Sequence, residues 1–150
     1  MDLILWRHAQ AVDAQPGQND LDRVLTPHGE QQARHIAQWL QRHLPADARI
    51  LVSPARRTQQ TAFALGRAIE TSQALAPDRS ADELLAAASW PGGRGIVVAV
   101  GHQPTMGQVA ARVLTGTERL WHVDKGAVWW MRREGGDQVM LLAALGPDFL

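Results

Sequence analysis

The sequence predicts an α/β fold, a three-layer sandwich whose central sheet is mostly parallel, with helices on both faces and an antiparallel C-terminal hairpin. Three observations carry that expectation. Short apolar runs, Leu3 to Trp6, Ile50 to Val52 and Ile96 to Val100, read as buried strands. Segments with apolar residues at helical spacing follow them. Near the C-terminus, Ala127 to Met131 and Val139 to Leu145 flank Glu134-Gly135-Gly136-Asp137, the signature of a hairpin.

At 150 residues, one domain spanning 1–150 is expected, with room for a substantial core. Fifteen acidic residues balance fifteen basic ones, which argues against a nucleic-acid or membrane-surface partner and confines any positive patch to a local site. The chain has no cysteine, which rules out disulfides, thiolate metal sites and a cysteine nucleophile. No segment has the ~20 apolar residues of a membrane span, and the N-terminus does not read as a signal peptide. A cytoplasmic protein is the expectation.

The first strand ends abruptly in Arg7-His8-Ala9. If it is central and parallel, its carboxyl end opens onto the crevice where α/β proteins bind ligands. An arginine there can hold a phosphate through paired hydrogen bonds, and a neutral imidazole can attack one. Residues 10–23 carry Pro16-Gly17 and Asn19-Asp20, which is loop chemistry leaving the site end of the strand. Thr26 and Pro27 then read as a cap and first turn, with Ala33, Ile36, Ala37, Leu40 and Leu44 on one apolar face before Pro45. His28, His35 and His43 have no metal-pairing spacing, and His35 and His43 are expected at or near the surface.

Arg49 to Val52 predicts the second strand. Ser53-Pro54 reads as the cap and first turn of a helix running to Ile69, with Thr58, Ala62, Leu65 and Ile69 facing inward. At ~100° per residue, Arg57 flanks that face and Arg56 points away, so Arg57 is the inward candidate. A positive charge at a helix start opposes the helix dipole, and a bound anion would account for it. Residues 71–95 are hard to read beyond a short helix near Asp82 to Ala88, started by Ser80 or Asp82. Gly95 to Val100 is the clearest buried strand and ends at Gly101-His102. Gly101 is read as leaving room for a ligand to approach. Met106, Val109, Ala110 and Val113 mark the face of the next helix, and Trp6 is read as core. His122 and Lys125 lie within reach of a site at the same rim, with no motif around them.

Parallel strands share one carboxyl edge, so Arg7, His8, Arg57 and His102 should converge around one anion. Two arginines and two histidines there would neutralise a phosphoryl group whose transition state spreads charge over its oxygens.

Four segments also resemble the histidine phosphatase, or phosphoglycerate-mutase-like, superfamily. Arg7-His8-Ala9 is similar to its Arg-His-Gly signature, with alanine in place of glycine. Leu25-Thr26-x-x-Gly29-x-x-Gln32-Ala33 is similar to the segment after its first strand. Ser53-x-x-x-Arg57-x-x-Gln60-Thr61-Ala62 is similar to its second signature, and Val100-Gly101-His102 to its third. The resemblance implies His8 as nucleophile, with a phosphohistidine intermediate, and Arg7, Arg57 and His102 on the phosphoryl oxygens. It calls for no metal or other cofactor. The short chain leaves no room for a long lid, and an open site suits a group on a protein surface better than a small sugar phosphate. An imidazole leaving group also needs less proton donation than an alkoxide. The chain thus resembles the SixA-type phosphohistidine phosphatases, implying as partner a phosphorylated histidine-containing phosphotransfer domain. The alternatives are a small-molecule phosphomonoesterase, which would need Asp82 or Glu83 as general acid, and a non-catalytic phosphate-binding module.

Overall fold

A computed structural model describes residues 1–150. The first strand, β1, spans Asp2–Arg7 and every residue but Arg7 is buried. The next three strands are β2 (Arg49–Val52), β3 (Glu70–Thr71) and β4 (Ile96–Gly101), and the hairpin supplies β5 (Val128–Arg133) and β6 (Val139–Leu145). They form one six-stranded sheet in the order β3-β2-β4-β1-β5-β6. The β3-β2, β2-β4 and β4-β1 pairs are parallel, and the β1-β5 and β5-β6 pairs are antiparallel. In register, Arg7 lies opposite Gly101 and Val52 opposite Val100, so β1, β2 and β4 end at one rim.

Residue alternation along the strands divides the core into two layers. Ile4, Trp6, Ile50, Val52, Val98 and Val100 face Ile36, Ala37 and Leu40 of helix α1 (Pro27–His43), and Ala62 of helix α2 (Arg56–Phe63). On the opposite face Leu3, Leu5, Leu51, Val97 and Ala99 meet Leu84 and Leu85 of α3 (Ala81–Ala87), and Met106, Val109 and Ala110 of α4 (Thr105–Thr115). The central strands are apolar between their end residues because they are covered on both sides. The three-layer α/β sandwich with its C-terminal hairpin is the architecture the sequence predicts. No helix is long and apolar enough to cross a membrane.

Two helix ends follow their expected chemistry. The Thr26 hydroxyl accepts the Gly29 N–H and starts α1, with Pro27 in its first turn. Ser80 starts α3 and exchanges hydrogen bonds with Glu83 as a capping box.

α2 departs from expectation at both ends. It starts at Arg56 behind Ala55, not behind Ser53, and stops at Phe63, so Ile69 lies outside it. Gly66 takes a positive φ of 65° and turns the chain away from the helix, although the apolar spacing continues past it. Ile69 instead leads into the short edge strand β3. At Gly101 a β-carbon would come within 2.7 Å of Met106 Cε, the flexible end of a core side chain, so on that side the glycine borders the core.

Candidate active site

The ends of β1 and β4, the start of α2 and the segments that carry Asp20, Asp78 and Lys125 line a polar cleft of about 360 Å³. Arg7, His8, Arg57 and His102 all line it, together with Asp20, Arg23, Asp78 and Lys125. The four residues selected from sequence are therefore brought together.

The His8 and His102 rings lie 5.3 Å apart between centroids. His8 Nδ1 is 2.8 Å from the Ala9 carbonyl oxygen, which can only accept. His8 therefore carries its proton on Nδ1, leaving the Nε2 lone pair unprotonated. Burial, then the charges of Arg57, Arg7 and Arg23, lower its pKa from 6.5 to about 4, against the bond to Ala9.

Two sequence segments hold this arrangement from behind. The Ala9 N–H donates to Thr61 Oγ1 (3.1 Å), and that hydroxyl donates to the Arg57 carbonyl (2.7 Å). The Gln10 N–H donates to Gln32 Oε1, and the Leu25 N–H to Gln60 Oε1. Gly29 lies so close to the Gln10 carbonyl that a β-carbon would collide with it. Much of the stretch from Leu25 to Ala33 thus secures the two residues after the histidine.

His102 has a different tautomer. Its Nδ1 faces Arg57 Nη2 at 3.3 Å, and a guanidinium can only donate. The ring proton therefore sits on Nε2 and donates to Ser53 Oγ at 2.7 Å. Burial first, then Arg57 and His8, lower the His102 pKa to about 3. Ser53, read from sequence as a helix cap, is instead buried against this histidine while also accepting the Ala55 N–H.

The arginines anchor differently. Arg7 Nη1 donates to the Val123 carbonyl (3.0 Å). Burial lowers the Arg7 pKa, opposed by Asp124 and aided by Arg57. Arg57 is buried and Arg56 exposed, as the helical geometry requires. Arg57 Nη1 donates to the Asp20 carbonyl (2.8 Å) and Nη2 to Asp20 Oδ2 (3.0 Å). The other Asp20 carboxylate oxygen accepts from Arg23 (3.2 Å). Two buried side-chain donors have no partner at all, Nε of Arg7 and Nε of Arg57.

The remaining candidates separate. Lys125 lines the cleft, whereas His122 points to solvent beside Asp124. Asp82 pairs with Arg112, and Glu83 is held by Ser80 and Arg79; neither lines the cleft. The sequence reading missed Asp20, Arg23 and Ser53 as site residues. For Asp20 and Arg23 the available signal was three-residue spacing in a loop leaving the site; nothing marked Ser53 beyond its motif.

A six-stranded α/β sandwich with paired histidines and arginines at one strand rim defines a class of phosphoryl-group proteins, and the comparisons agree. The sequence profile of the histidine phosphatase superfamily (branch 1) matches residues 3–80. An uncharacterised protein of Picosynechococcus is 36% identical over 123 residues, covering 77% of this chain and 74% of the relative. The protein belongs to the histidine phosphatase superfamily. Its fold is similar to that of a candidate phosphohistidine phosphatase SixA from Nakamurella multipartitia, at TM-score 0.81 and 29% identity over 97% of this chain and 95% of that one. A second SixA candidate, from Agrobacterium tumefaciens, matches at TM-score 0.81 and 26% identity, covering 97% of both chains. These relatives support a phosphatase.

Proposed function

We propose that the protein is a phosphohistidine phosphatase that works through a phosphorylated His8. The observation that carries this reading is the gathering of Arg7, Arg57 and His102 around His8, an imidazole with a free Nε2, in one polar cleft. Two guanidinium groups there offer a phosphoryl dianion both charge and hydrogen-bond donors.

In the first step His8 Nε2 attacks phosphorus as the bond to the substrate imidazole breaks. The departing imidazole nitrogen keeps the electron pair; with the far ring nitrogen protonated, the group leaves as neutral imidazole and needs no further proton. One P–N bond replaces another, so no strong general acid is needed. Arg7, Arg57 and His102 hold the equatorial oxygens as charge spreads onto them. Before it can donate to an oxygen, His102 must move its proton to Nδ1, and the Ser53 hydroxyl can reverse to donate to the vacated Nε2. Water then attacks the phosphorylated His8, releases phosphate and passes its proton to phosphate or solvent. Burial keeps His8 neutral at ordinary pH before the phosphoryl group arrives, so its Nε2 lone pair is available for attack.

The polar, open cleft suits a phosphorylated side chain on a protein, and a histidine-containing phosphotransfer domain is the proposed substrate. That reading also follows the similarity to the SixA candidates. A phosphomonoesterase would lack the acid the sequence nominated, because Asp82 and Glu83 are engaged outside the cleft. The test is phosphate release from a purified phosphorylated transfer domain. Wild type should release phosphate and His8→Ala should not. Equal release by both would remove His8 from the reaction. Turnover of small phosphate esters alone would move the substrate to the second class.

A further inference from the structure

We propose that Asp20 is an internal anion that competes with the phosphoryl group for Arg57 and so weakens the hold on bound phosphate; this rests on the phosphatase reading above. The Asp20 carboxylate enters the cleft from the loop after β1 and bridges Arg57 and Arg23. Its two partners differ in what they can tolerate. The Arg57 side chain is only 5% exposed, so its charge cannot be left without an anion. The Asp20 side chain is 51% exposed, so water can take it back at little cost.

Arg57 therefore has an anion at rest and another when occupied. As a ligand enters, Oδ2 of Asp20 leaves Arg57 Nη2, while Oδ1 can stay on Arg23. Displacing Asp20 costs every incoming anion the same, so each binds more weakly than it would to a free Arg57. Inorganic phosphate leaving after hydrolysis meets the same competition, because Asp20 can return to Arg57. Asp20 thus acts on affinity and on product release. Asp78, the other carboxylate lining the cleft, has no ion pair with Arg57.

A purely structural strut would do the opposite. If Asp20 served only to hold Arg57 in place, removing it would weaken anion binding.

The experiment is isothermal titration of wild type, Asp20→Asn and Asp20→Ala with inorganic phosphate at pH 8, where phosphate is mostly a dianion, and with dimethyl phosphate as the monoanion. Thermal melts of the three proteins run in parallel. Both variants should bind phosphate about fivefold tighter (~1 kcal/mol). Dimethyl phosphate should gain by a similar factor, because displacing Asp20 costs either anion the same. Unchanged or weaker phosphate binding in both folded variants, with wild type still binding, overturns the role of Asp20 alone. Failure of wild type to bind phosphate would remove the phosphatase reading and this proposal together.

Discussion

His102 is held at both ring nitrogens by groups whose hydrogen-bonding roles differ in freedom. Arg57 must donate, whereas the Ser53 hydroxyl can donate or accept. That makes Ser53 the positioning residue that decides which face of His102 can serve an oxyanion. Ser53→Ala leaves a buried ring N–H without an acceptor, at a cost of ~1–3 kcal/mol. The expected result is a fall of about tenfold or more in kcat/KM, with Ser53→Thr recovering part of it. An unchanged rate in Ser53→Ala would show that the hydroxyl does not matter. The role was not legible because Ser-Pro before a helix is an ordinary cap signal, and only the fold brings His102 to it. Arg57 was legible, because the helical angle alone separates it from Arg56. Asp20 was not, because a polar residue in a polar loop has no period that marks it.

At the scale of elements, the sequence was clearest where a single period runs unbroken. β1, β2, β4, α1 and the hairpin all lie within a residue or two of their expected bounds. It was least clear where a backbone turn overrides the pattern, as at Gly66, and where a two-residue strand has no pattern to show, as at β3. The start of α1 rests on an unusually close approach. Gly29→Ala would press a methyl group into the Gln10 carbonyl, and that backbone cannot yield without moving Ala9. The variant should lose ~1–3 kcal/mol in denaturant unfolding, as overpacking does. It should also lose activity, because the carbonyl that orients His8 belongs to Ala9. A stable variant with full activity would refute the link between α1 and the histidine.

Across the whole molecule, the two buried histidines make stability depend on pH. In the unfolded chain both rings take up protons near pH 6.5. In the folded protein they do so only near 4 and 3. Between these values the unfolded state binds more protons, so stability is complete above pH 6.5 and is lost as pH falls. The expected loss between pH 7 and pH 5 is on the order of 1–2 kcal/mol per ring. Melting temperature should drop over that window in wild type, and less in His8→Gln and His102→Gln. A flat profile in wild type would contradict the buried, neutral rings. An anion bound beside them reverses part of the effect by favouring the protonated forms, so added phosphate should blunt the drop.

β5 runs against its neighbour β1, so it begins, rather than ends, at the rim that carries the cleft. The approach to that beginning is fastened by main-chain groups: the Val123 carbonyl takes Arg7, the Gly126 N–H donates to the His8 carbonyl, and the Gly126 carbonyl takes the Trp6 indole. Such fastenings do not read side-chain identity. Lys125, whose side chain lines the cleft and takes no part in these fastenings, is thus free to be exchanged without disturbing the scaffold, which makes this wall the natural place for evolution or engineering to retune what the cleft accepts.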